Sequence, residues 1–122
     1  MALERGKLSN VVVVSAGSTV GIITVASSKK VYVKSIIAHA GTASSATAQV
    51  YFIPNGGSAN ATTKIFDVDV NAGETVLIEP SYPLVIDTTG DKISVGAGNS
   101  TVNFLITGDK EVWYGSFKIN DW

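Results

Sequence analysis

The sequence predicts an all-β sandwich, and three observations carry that prediction. Valine, isoleucine and threonine dominate the chain, the residue types that fit a pleated, half-buried surface. Gly, Asn, Asp and Ser cluster every eight to twelve residues, which is the spacing of turns between short strands. Helical periodicity is nearly absent. The expected class is an antiparallel β-sandwich, jelly-roll or immunoglobulin-like. It forms one domain over residues 1–122, with an N-terminal arm at 1–10 and a C-terminal strand or arm at 112–122. A chain of 122 residues is long enough for one core, burying roughly two thirds of the surface its unfolded form exposes.

Strands are expected at 8–15, 19–26, 29–40, 46–54, 62–70, 74–79, 84–86, 92–97, 101–107 and 111–118. The first carries VVVV, which would invite aggregation if its edge stayed uncovered. SSKK at 27–30 reads as a turn. In the segment that follows, Val31, Val33 and Ile37 are placed on one face and Tyr32, Ile36 and Ala38 on the other. A strand apolar on both sides is central or is covered by a second subunit, so Val31, Tyr32, Val33 and Ile36 are candidate interface residues. In KIFDVDV, Phe66, Val68 and Val70 share a face opposite Ile65, Asp67 and Asp69, because side chains alternate along a strand. Gly73 and Gly108 are read as turn glycines with positive φ. Pro80 and Pro83 cannot donate to a ladder and bracket a short crossing.

Composition excludes several classes of function. The net charge is −1 and only 16% of residues are charged, against roughly 25% in a usual soluble domain. Nothing here attracts nucleic acid or an anionic membrane. The mean hydropathy is +0.28, yet the longest aliphatic run, residues 11–14, is far short of the roughly 20 residues of a membrane helix. A soluble protein is expected. The opening MALERGKLSN lacks the pattern of a secretion signal, which predicts synthesis in the cytoplasm without processing. There is no cysteine, hence no disulfide framework and no thiolate metal site. So few charges predict a surface partly covered by partners.

The chemical motifs resolve into structure. DVDVNAGE resembles a calcium loop, but counting from Asp67 puts Ala72 at position six, where glycine is required, and Ile78 at position twelve, where glutamate is required. It reads instead as a strand with one solvated face, followed by a turn at 71–73. His39 is the only histidine, and Ser35, four residues away along a strand, lies roughly 13 Å from it. No G-x-S-x-G elbow, phosphate-binding loop or metal-ligand cluster accompanies it, so no enzyme, cofactor or metal is expected. Trp113, Tyr114, Phe117 and Trp122 crowd the last ten residues. They read as anchors of an arm docking on a neighbouring subunit, as part of the chain's own core, or, in a glycan-binding alternative, as platforms for sugar rings on Trp113, Tyr114 and Trp122.

From YVKSI-x-x-H, through the AGET turn and the PLV segment, to GDKISV, residues 31–112 resemble small β-sandwich virion proteins of tailed bacteriophages, including cyanophages. The resemblance implies a capsid cement or decoration protein that bridges capsomers of the head. The implied partners are copies of itself, with a trimer favoured, and the major capsid protein. It implies a virion location after synthesis in the host cytoplasm. A tail, neck or baseplate component is the alternative within the same particle.

Overall fold

The computed structural model describes residues 2–25, 29–41 and 44–112. Ten strands occupy them: β1 (Ala2–Lys7), β2 (Val12–Val14), β3 (Thr19–Thr24), β4 (Val31–Ala40), β5 (Ala46–Ile53), β6 (Lys64–Val70), β7 (Thr75–Ile78), β8 (Leu84–Ile86), β9 (Lys92–Ala97) and β10 (Val102–Val112). All pairings are antiparallel, in two sheets. Sheet A runs β1-β10-β4-β7, with β2 also on β10 and β8 also on β4, and sheet B runs β3-β9-β5-β6. The protein is a β-sandwich.

Counting β1 with β2 as one interrupted strand, and β7 with β8 as another, leaves eight strands. Numbered along the chain they run 1-8-3-6 in sheet A and 2-7-4-5 in sheet B. This is the double Greek key of the jelly roll, which decides between the two expected topologies. The core between the sheets comes from alternate residues. Val102, Phe104 and Ile106 of β10 face Val50 of β5, Val70 of β6 and Ile93 and Val95 of β9. Each such side chain, fully removed from water, contributes about 1.5–3 kcal/mol.

The expected Val31/Val33/Ile37 face is not what forms, because β4 carries a bulge. Thr107 of β10 pairs with Ser35, but the next residue, Gly108, pairs with Val33, leaving Lys34 as the extra residue. One inserted residue moves every later side chain to the opposite face. Val31 and Val33 before the bulge, and Ile36, Ala38 and Ala40 after it, therefore all point into the core, while Tyr32, Ser35, Ile37 and His39 point outward. The apparent two-sided apolarity is a single core face with a change of phase.

The same irregularity crosses the whole sheet. Lys7 pairs with Thr107 and Val12 with Phe104, so the four residues 8–11 stand opposite two residues of β10. The amides of Leu8 and Ser9 both donate to the Ile106 carbonyl, and the Ile106 amide donates to Ser9 Oγ at 3.3 Å. On the far side, Ile78 pairs with Ile36 and Leu84 with Val33, so residues 79–83 bulge out opposite Lys34 and Ser35. A crease thus runs from edge to edge.

Two expectations are corrected here. The N-terminal arm is a strand of this chain's own sheet, since Ala2–Lys7 has a continuous ladder of partners on β10 for its exposed edge groups to join. Nor does Gly108 make a turn: β10 runs through it without a break. Glycine is required because a Cβ there would drive into the Tyr32 carbonyl oxygen across the crease. Gly73, by contrast, does have positive φ (76°) and closes a turn in which the Glu74 amide donates to the Asn71 carbonyl at 2.9 Å.

Gly108→Ala should lower stability by about 2–3 kcal/mol in urea unfolding, since only backbone movement relieves the clash. Gly41→Ala, where an added methyl meets nothing within 4 Å, should stay within about 0.5 kcal/mol of the parent.

Candidate docking surface

The outward side chains of the two sheets differ in kind. On sheet A, Asn103 pairs with Val13 and with His39, and His39 with Thr75, forming one row across the strands. In the next row Leu105 pairs with Ile37 and Ile37 with Leu77. Val11 joins Ile37, His39 and Leu105 around one shallow, largely apolar depression. Val11 and Val13 are each 62% exposed and Leu77 is 53% exposed. Strand alternation produces this directly: Val14, Phe104, Ala38 and Ile78 are taken into the core, and their neighbours face out.

Sheet B presents polar groups instead. Thr47 and Gln49 of β5 and Asp67 and Asp69 of β6 share its outer face, as the alternation in KIFDVDV predicts. The Tyr51 hydroxyl donates to Gln49 Oε1 at 3.1 Å, and both side chains lie over Gly96 of β9, where a Cβ would crowd them. Among the described residues the exposed apolar side chains gather on sheet A, whereas the outer face of sheet B exposes Ile65 beside its acids.

Below the crease, sheet A changes character again. Asp109 of β10 is nearly buried, its side chain 7% exposed, between Lys34 Nζ at 2.7 Å and Arg5 Nε at 3.6 Å. Among the described residues Asp109 Oδ1 accepts no hydrogen bond, and Lys34 is the nearer of the two cations on the carboxylate. Two cations held on one carboxylate, with Lys7 nearby on β1, leave this end of the sheet positive.

The candidates for chemistry are scattered. His39 Nδ1 lies 2.9 Å from Thr75 Oγ1, a cross-strand contact on the outer face of sheet A. Among the described residues no three His, Cys, Asp or Glu side chains are grouped to hold a metal ion, and no helix is long and apolar enough to cross a membrane. Asp67 is engaged by Lys64 at 3.1 Å.

Of the residues expected at an interface, Val31, Val33 and Ile36 lie in the core of their own subunit and have no surface to lend. Tyr32 faces outward and is half-buried. Trp113, Tyr114, Phe117 and Trp122 lie outside the described residues. The outer row of Leu105, Ile37 and Leu77 was not anticipated, because it appears only once the bulge assigns Ile37 to the outside. Val11 and Val13 carried a signal, the VVVV run, of which Val14 is buried and Val12 packs on the core.

The sequence matches no family model and no curated protein. In fold the chain is similar to chains from infectious bursal disease virus. With one from the structure of the Gx strain, the TM-score is 0.53 at 15% identity, over 96% of this chain and 33% of that one. With one from the crystal structure of the T13 viral particle, it is 0.50 at 11% identity, over 89% and 30%. This chain therefore spans about a third of their length. At such identities the likeness is one of fold, the jelly-roll sandwich.

Lys34→Met should lower stability by about 1–2 kcal/mol, since Asp109 stays buried without its nearest cation while Lys34 itself is half-exposed. Asp109→Asn in the same background should recover part of that loss in urea unfolding.

Proposed function

We propose that this chain is a structural virion protein, a cement or decoration protein that bridges capsomers of a phage head, with the outer face of sheet A set against the shell. The observation that carries this reading is the contrast between the faces: exposed Val11, Val13 and Leu77 around Ile37 and Leu105 on sheet A, mainly polar groups with Ile65 among them on sheet B. The fold shared with chains of an icosahedral virus particle supports it. The low charge, at 16% of residues, suits a surface made to be covered.

Magnitudes favour many copies over one strong contact. Three strand spacings by about five residues of strand length give a patch of roughly 250 Å². At about 25 cal/mol per Å² that contributes about 6 kcal/mol before the cost of association, which is about 4–15 kcal/mol. A single copy is thus held weakly. A symmetric oligomer, a trimer in our reading, raises effective concentration enough to hold it in place without any new contact.

Val13→Asp with Leu77→Asp should leave the melting temperature nearly unchanged, because both side chains are already in water. Rebinding to phage heads stripped of the protein should weaken more than tenfold, as seen by co-sedimentation. Undiminished rebinding would reject this face as the shell contact.

A further inference from the structure

The near-zero net charge conceals a sharp segregation. Residues 5–34 contain five bases and no acid, whereas residues 65–91 contain six acids and no base. The fold carries the start of the basic segment and most of the acidic one to opposite edges, while Lys34 sits on the inner strand β4 and Glu4 shares β1 with the bases. Arg5 and Lys7 lie on β1, the strand at one margin of sheet A. Asp67 and Asp69 lie on β6, and Glu74, Glu79 and Asp87 flank β7 and β8, the strands at the other margin of each sheet. Among the described residues Asp69, Glu74, Glu79 and Asp87 form no ion pair.

Each edge also carries a feature of the crease. At the acidic edge the crease throws out the loop 79–83, in which Tyr82, between Ser81 and Pro83, is 85% exposed. At the basic edge the same crease leaves a dent of about 270 Å³. Gly6 and Gly108 pair directly across β1 and β10 there and provide a floor without side chains, walled by Arg5, Lys7, Lys34 and Thr107. An aromatic ring suits such a floor and such cationic walls. Because loop and dent sit on one line across the sheet, a sideways step of about one molecular width brings the Tyr82 of one copy level with the dent of the next.

We propose that copies of this chain associate head to tail, the acidic edge with Tyr82 of one copy seated on the Gly6–Gly108 dent of its neighbour. This deepens the self-association part of the reading above and names its surfaces. Such a contact uses two different patches, so it builds a ring or an open filament, according to the rotation between copies, rather than a two-fold dimer. Attraction across it is screened over about 10 Å at 0.1 M salt.

Sedimentation velocity on the purified full chain, without any particle, tests this. The oligomer should weaken as salt rises. Glu79→Lys, Lys7→Glu and Tyr82→Ala should each raise its dissociation constant about tenfold, with melting temperatures near that of the parent. Glu79→Lys combined with Lys7→Glu in one chain should restore assembly, because each altered edge then meets its complement. The proposal is overturned if the chain stays monomeric at low salt, or if the oligomer ignores these changes and dissolves only with Val13→Asp and Leu77→Asp, which would indicate pairing through the outer face of sheet A. Intact head-to-tail assembly without particle rebinding would uphold this contact and reject the virion role. The reverse result would reject the contact alone.

Discussion

Where Gly108 passes Tyr32, backbone meets backbone with no room for a methyl group, and Lys34 is squeezed out of the ladder beside it. That one misfit in pairing decides which face of β4 is core. Had the register continued unbroken, Ile36 and Ala38 would face water and Ile37 and His39 the interior, with an imidazole buried among aliphatics. The same line of irregularity splits the first strand of the jelly roll into β1 and β2 and the sixth into β7 and β8. Because it reaches both edges, it also shapes what each edge presents.

The protein works, on this view, through the distribution of its surface rather than through reactive groups. Three kinds of area lie on one small sandwich: an apolar outer face on sheet A, a polar outer face on sheet B, and oppositely charged margins. Each suits a different neighbour. Apolar area with no charge to desolvate can meet a shell of varied detail, whereas charged edges set direction and suppress wrong pairings more than they add affinity. On the proposed reading, separating these tasks onto perpendicular directions would let a chain bind its own copies sideways and a shell face-on at the same time.

Asp109 shows how the crease is held electrostatically. A carboxylate with one oxygen unpaired by hydrogen bonds is costly to bury, and Lys34, freed from the ladder by the bulge, is the side chain that compensates it. The irregularity therefore supplies its own counter-ion. Geometry and charge at this place depend on each other.

The sequence alone determined the class of fold, most of the strands and the reading of DVDVNAGE, because these rest on local chemistry: alternation in KIFDVDV, turn residues at 71–73, prolines at 80 and 83. It also located the VVVV run, whose Val11 and Val13 face out. The crease was not legible, since a bulge arises from how two strands distant in sequence meet, and Gly108 looks like any turn glycine until Tyr32 lies against it. With it went the allocation of Val31, Val33 and Ile36 to the core and of Ile37 and Leu77 to the outside. The charged edges were in plain view as counts, but opposite charges become a pair of surfaces only after tertiary structure sends Arg5 and Lys7 to one margin and Asp67, Asp69, Glu74, Glu79 and Asp87 to the other. Periodicity is a property of one strand, whereas a face or an edge belongs to the strands that are its neighbours in space.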